Sequence, residues 1–361
     1  MAKFNSENER IKRKYYSYLQ ESRGRSPKTV DSVVKALARY EEFAGFESFK
    51  YFNSDKAVAF KKHLLKSNNL KGEPLSASTI LHTLNPLKEF LQWLADKQGY
   101  KRIKPTDTHY LNLNDKDKRK TRPVKFKKYP TIEQIRKVLA FNPKNDLDMR
   151  DRALFAFLAA TAVRDGALIG IKLKHLDINS KVLVQDPNEV ETKFSKWINT
   201  RLFPIGTDIH QIIIDWVKYL REELLFDDEC PLFPKNLIEQ DEFRNFKSDK
   251  LSREHWQSAA AVRDIIKRLF ANAGIEYYSP HRFRDMLSAL GREQCKTPAE
   301  MTAWGKNLGH ENWATTFISY GGFTPQMQVE TLERMEKAKP ATNGNRQEIL
   351  QKMQDLISGF E

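Results

Sequence analysis

A chain of 361 residues is too long for one ordinary domain and long enough for two, each with a core of its own. Its formal net charge of +14 is uneven: residues 1–128 hold 29 Lys and Arg against 14 Asp and Glu, a net of +15, whereas residues 129–361 hold 32 against 33, a net of −1. Two cysteines without a CxxC pair exclude a disulfide framework and a cysteine-based zinc site, and no apolar run nears the roughly 20 residues that cross a bilayer. The charge asymmetry implies a domain that grips a polyanion joined to one with another task. The polar start Met1–Arg10 carries no apolar leader, so the expected location is the cytoplasm.

Charged and aromatic residues alternate at helical spacing from Ser6 to about Leu19, and Arg23-Gly24-Arg25-Ser26-Pro27 ends that pattern. Ser26 as a cap and Pro27 in the first turn begin a second helix, with an apolar stripe of Val30, Val33, Val34, Leu37, Ala38, Tyr40 and Phe43. A third helix covers Asp55 to Leu65. Ser76 caps a fourth, whose stripe is Ile80, Leu81, Leu84, Leu87, Phe90, Leu91 and Leu94. Residues 1–100 therefore read as a small all-helical domain. Residues 101–128 hold eleven basic residues, two prolines and almost no apolar periodicity, so an extended linker is expected there. It is either a solvated spacer or a strap along phosphates, and its density of Lys and Arg favours the strap.

A second domain, residues 129–335, opens where Thr131 precedes Glu133 and Gln134 as at a capped helix start. A strongly apolar helix runs from Arg152 to about Ala162, and a short one follows Val163-Arg164-Asp165-Gly166. Apolar and β-branched residues alternate around Leu176 to Val184 and Trp197 to Pro204, which predicts a small antiparallel sheet. Helices are expected again at Ile209–Leu225, Ala259–Ala273, His281–Leu290 and Pro298–Leu308. Between them, Phe226 to Arg253 shows no clear period and is expected to be a surface excursion. In residues 336–361, Pro340 and Gly344 mark a hinge, and Ile349, Leu350, Met353, Leu356, Ile357 and Phe360 recur at helical spacing. That tail helix suits docking on its own domain or on a neighbouring subunit. The fold class expected is mainly α: a helical N-terminal domain plus a mixed α/β domain with a small antiparallel sheet.

Five residues stand out for their chemistry: Arg164, His281 and Arg284 in His-x-x-Arg, His310 in Leu308-Gly309-His310, and Tyr320. Cleaving a phosphodiester needs a nucleophile, neutralisation of charge on the non-bridging oxygens, and a proton for the departing oxygen. Guanidinium groups fork two donors toward phosphate and stay protonated. Histidine moves protons near neutral pH, and a tyrosine phenolate both attacks and leaves tolerably. Taken singly each motif is weak, since a lone His-x-x-Arg is usually a solvated helix face and a Gly-His pair usually a helix end.

In combination and in order, these residues resemble the tyrosine recombinases of the phage integrase family, across most of the chain. Ala160-Thr161-Ala162-Val163-Arg164 stands where that family has Ala-Thr-Gly-Leu-Arg; Thr192-Lys193 looks like its β-turn lysine; Ser279-Pro280 precedes the His-x-x-Arg box; and Thr315-Thr316 lies between His310 and Tyr320. The resemblance implies a SAM-like core-binding domain followed by a catalytic domain. It implies that Tyr320 attacks the scissile phosphate to form a 3′-phosphotyrosyl link, that Arg164, Arg284 and His310 hold the phosphate oxygens, that Lys193 protonates the leaving 5′-oxygen, and that His281 assists proton removal from the tyrosine. No cofactor, metal or ATP is implied. The partners implied are double-stranded DNA, a homo-tetramer and a possible accessory directionality protein. This sequence departs from the family pattern at Ala167, where an acidic residue is common and Asp165 stands instead directly after the arginine. His310 to Tyr320 spans ten residues where nine are usual, Asp285 follows the His-x-x-Arg box, and Lys196 is an alternative to Lys193. Rival readings are a relaxing enzyme of the type IB topoisomerase kind and a catalytically silent DNA-binding regulator.

Overall fold

Each helix of the N-terminal part starts where a short polar side chain accepts an otherwise orphaned backbone N–H. Asn5 caps α1 (Ser6–Ser17), Ser26 caps α2 (Pro27–Phe43), Asn53 caps α3 (Ser54–Lys66) and Ser76 caps α4 (Ala77–Ala95). The computed structural model describes residues 4–115, 117, 128–192, 196–240, 246–311, 329, 330, 332 and 333. Contacts divide the chain into two units, Met1–Lys125 and Phe126–Glu361.

In the first unit the expected stripes of α2 and α4 face inward, apart from Val34, which sits at the edge of the α2 stripe and is exposed. Aromatic rings fill the centre, with Phe90 set 5.1 Å from Tyr15 and 4.9 Å from Phe49. Among the polar side chains buried there, Asn8 donates to Glu41 and to the Glu47 carbonyl and accepts the Phe49 N–H, which fixes α1 against the chain after α2. Residues 103–113, read above as linker, belong to this core. A 3₁₀ turn over Pro105–Leu111 packs there, with Ile103, Leu111 and Leu113 buried. Their apolar residues are too sparse to show a period, but each finds the groove beside α3 and α4. Lys61 and Lys88 close it by donating to the Asn112 carbonyl and side chain, each at 3.0 Å.

The second unit opens with α5 (Ile132–Leu139), whose capping box joins Thr131 and Gln134 reciprocally. Next, α6 (Asp146–Thr161) runs through the centre of the core: Ala153 through Ala160 are each at most 1% exposed. A helix apolar on every face must be surrounded. Around it stand α7 (Asp165–Leu168), α8 (Thr207–Glu222), α9 (Ala260–Asn272), α10 (His281–Gln294) and α11 (Pro298–Asn307). The predicted sheet is present as three antiparallel strands, β1 (Leu176–Asp177), β2 (Val182–Gln185) and β3 (Ile198–Arg201), in the order β1-β2-β3. The stretch expected to be a surface excursion contributes instead to the core. Phe226, Cys230, Leu232 and Phe233 are buried, Trp216 Nε1 donates to the Leu232 carbonyl at 2.9 Å, and β4 (Asn236–Gln240) pairs with β5 (Phe246–Leu251) as an antiparallel ribbon. Among the described residues no helix is long and apolar enough to cross a membrane. The tail helix and hinge, and linker residues 118–127, lie outside the described residues.

A buried ion pair ties the start of α6 to its surroundings. Arg150 donates twice to Asp151 Oδ1 (2.9 and 2.7 Å) and once to the Pro234 carbonyl (3.0 Å), while Arg268 of α9 pairs with the other Asp151 oxygen. Burial works against charge on both, pushing the Asp151 carboxyl up and the Arg150 guanidinium down from their ordinary values. Removing one partner strands the other's charge. Asp151→Ala is therefore expected to cost about 3–5 kcal/mol in urea unfolding; a change below about 1 kcal/mol contradicts this reading.

Candidate active site

The end of α6 decides where Arg164 stands. The helix stops at Ala162, which takes a left-handed conformation (φ 46°, ψ 34°) although it is not glycine. The surrounding hydrogen bonds hold it there: Thr161 Oγ1 donates to the Phe157 carbonyl (2.7 Å) and accepts the Val163 N–H (3.3 Å), and the Phe203 N–H takes the Ala160 carbonyl (2.7 Å). The chain turns sharply, and Arg164 becomes the residue before α7, with its carbonyl accepting from Ala167 and Leu168. Among the described residues its guanidinium makes no hydrogen bond.

The end of α11 places His310 in a comparable way. Leu308 closes the helix, Gly309 follows at φ 72°, Gly309 N–H bonds the Lys306 carbonyl (2.7 Å) and His310 N–H the Gly305 carbonyl (3.0 Å). These two bonds make a Schellman motif, which glycine serves because it alone adopts positive φ without steric cost. A Cβ at Gly309 would also lie 3.0 Å from the Ile198 side chain of β3.

Between those two helix ends lies Arg284, on α10 and 3% exposed. Its Nη1 donates to the Ala162 carbonyl at 2.9 Å, and its Nη2 to the Leu308 carbonyl and to His310 Nε2, the latter at 3.1 Å. Both carbonyls close helix C-termini, the negative ends of helix dipoles. A guanidinium offers only donors, so Nε2 of His310 accepts here and the ring proton sits on Nδ1. A cleft of about 260 Å³ is lined by Val163, Arg164, Asp165, Arg263, Ser279, Pro280, His281 and Arg284. Sequence-selected Arg164, His281 and Arg284 therefore meet at one opening, with His310 bound to the last of them.

Lys193 and Tyr320 lie outside the described residues. The alternative lysine, Lys196, is described, and its ammonium pairs with Glu311, the residue after His310. Glu189, in the connection between β2 and β3, is gripped by Lys174, Lys172 and His175, which hold its carboxyl down at about 2. Asn307 ties β3 to α11: its side chain accepts the Arg201 N–H (2.7 Å) and donates to the Arg201 carbonyl (2.8 Å). Asp285, noted above as a departure, is fully buried and pairs with Arg282 at 2.9 Å. Three residues escaped the sequence reading: Asn307, Glu311 and Arg263. Each acts through a partner about a hundred residues away, for which no local pattern exists.

Residues 128–324 match the model of the phage integrase family, and residues 13–98 that of the phage integrase N-terminal SAM-like domain. The tyrosine recombinase XerC of Halalkalibacterium halodurans is 24% identical over 306 residues, covering 83% of this chain and 89% of the relative. Among solved structures, a lambda integrase(75-356) dimer bound to a COC′ core site aligns with a TM-score of 0.57 at 13% identity, over 87% of this chain and 96% of that one. The XerH site-specific recombinase bound to palindromic difH substrate, a post-cleavage complex, aligns at 0.56 and 15% identity, over 89% of this chain and 85% of that one. At these identities the structures establish the shared fold.

If Arg284 is what joins the two helix ends, Arg284→Lys keeps the charge but cannot serve both carbonyls and the imidazole. The expected loss is about 1–3 kcal/mol for each buried carbonyl left unsatisfied, read by denaturant unfolding. Unchanged stability contradicts the clamp.

Proposed function

The chain belongs to the phage integrase family and is a tyrosine-type site-specific recombinase, and from that premise we propose that it cuts and rejoins duplex DNA through a 3′-phosphotyrosyl link. The observation that carries this reading is the cleft itself, where Arg164, His281 and Arg284 meet and Arg284 holds His310. Related recombinases are recorded on DNA core sites and on a cleaved site, which supports double-stranded DNA as the substrate here.

In the proposed reaction the Tyr320 oxygen attacks the scissile phosphorus, and the bond to the 5′-oxygen breaks. Charge grows on the non-bridging oxygens, and the guanidinium groups of Arg164 and Arg284 with the Nδ1–H of His310 take it up. His281, at the exposed first turn of α10, accepts the tyrosine proton, and Lys193 supplies one to the departing 5′-oxygen. A 5′-hydroxyl of the second duplex then attacks the phosphotyrosine, so the bond energy is retained and the cycle needs neither ATP nor a metal. Exchange between two duplexes calls for four protomers, and residues 336–361 are the segment we assign to contact between them. The biological substrate we propose is a mobile element, with an accessory protein setting direction.

Incubation with a pool of nicked duplexes of randomised sequence, resolved on a denaturing gel, tests this directly. The wild-type protein forms a covalent adduct, and Tyr320→Phe forms none; an adduct that persists in Tyr320→Phe overturns the nucleophile. Arg164→Ala is expected to lower the rate of adduct formation by about 10²–10³. Because that guanidinium has no partner among the described residues, the same change should leave the unfolding midpoint unmoved.

A further inference from the structure

We propose that Arg263 is a further DNA-binding residue of this site, a guanidinium held by Asp165 at the mouth of the cleft to take the phosphate next to the scissile one. The inference rests on the DNA substrate proposed above. Arg263 stands near the start of α9, and its Nε donates to Asp165 Oδ2 at 2.7 Å. Asp165 is the first residue of α7, and its other oxygen accepts the Gly166 N–H at 3.0 Å, so the carboxylate is fixed from both sides. The contact with Asp165 raises Arg263 above its ordinary value, so it stays a cation.

One edge of the guanidinium is thus occupied and the other is not. Of its five N–H donors, the four on Nη1 and Nη2 have no acceptor among the described residues, and the side chain is 54% exposed. An exposed ion pair of this kind adds only about 0–1 kcal/mol to stability, so fold stability is a poor account of it. Its placement says more. Asp165 directly follows Arg164, so the turn that presents Arg164 to the cleft also aims Arg263. Three arginines and one carboxylate line this opening, leaving two positive charges in excess. A single scissile phosphodiester carries one negative charge, and the neighbouring phosphate on the same strand supplies the second. Anchoring one edge of the fork in advance removes part of the ordering that binding otherwise requires.

The test is the salt dependence of binding to a mixed-sequence duplex, between about 50 and 200 mM salt. Each phosphate contact contributes about −0.9 to the slope of log affinity against log salt concentration. Arg263→Gln is expected to bind about tenfold more weakly and to make the slope shallower by about that amount, with Arg263→Lys restoring the slope. Asp165→Asn removes the anchor together with one negative charge from the opening while Arg263 keeps its own charge, so the slope is expected to be no shallower than that of the wild type. At saturating DNA, adduct formation by Arg263→Gln should stay within roughly twofold of wild type, as expected of a contact outside the reacting phosphate. A wild-type slope in Arg263→Gln overturns the proposal, and so does a hundredfold loss of adduct at saturation, which moves Arg263 into the chemistry. Absence of any adduct from the wild-type protein overturns the proposed reaction instead, because the slope depends on binding alone.

Discussion

A buried guanidinium has to be satisfied, and the catalytic unit is arranged around the one at Arg284. Its donors reach the carbonyls that end α6 and α11 and the imidazole that follows α11. Neither helix could stop elsewhere without breaking this set. The left-handed turn at Ala162 and the Schellman turn at Gly309 are the local devices that bring those carbonyls to it. Because α6 is enclosed on every face, its end is fixed by the whole core rather than by a surface contact. The strain of a non-glycine residue in the left-handed region, about 1–2 kcal/mol, is thereby tolerated.

The partners chosen for Arg284 have an electrostatic consequence. Helix-end carbonyls and an imidazole nitrogen carry partial charges, so they orient the guanidinium and leave most of its positive charge to act on an incoming anion. Arg263 is held differently, by a full carboxylate along one edge. Arg164, aimed by the turn after α6, is held by its backbone. Three guanidiniums with three kinds of support therefore line one opening, in the part of the sequence, residues 129–361, whose net charge is close to zero. The positive excess of the sequence belongs to the N-terminal part, where it favours encounter with a polyanion, while the catalytic part brings three arginines to the cleft.

Much of this was legible in the sequence, and the reason is local. Caps such as Ser26, Ser76 and Thr131 and stripes such as Ile80 to Leu94 have periods of three or four residues, which one chain displays openly. The order of Arg164, the His-x-x-Arg box and the Gly-His pair was equally readable, and those side chains do come together. What was hidden depends on distant partners. Residues 103–113 and 226–234 carry isolated apolar side chains that become core only once grooves exist to receive them. The clamp role of Arg284 spans 122 residues to Ala162, and the Arg263–Asp165 pair spans 98.

The central claim is that Arg164 and Arg284 act on the scissile phosphate as a unit. A double-mutant cycle of Arg164→Lys and Arg284→Lys, measured as single-turnover covalent adduct formation at saturating nicked duplex, tests it most directly. Groups that act as a unit are strongly non-additive. The double variant should therefore be little slower than the slower single variant; losses that multiply across the two sites would contradict the account.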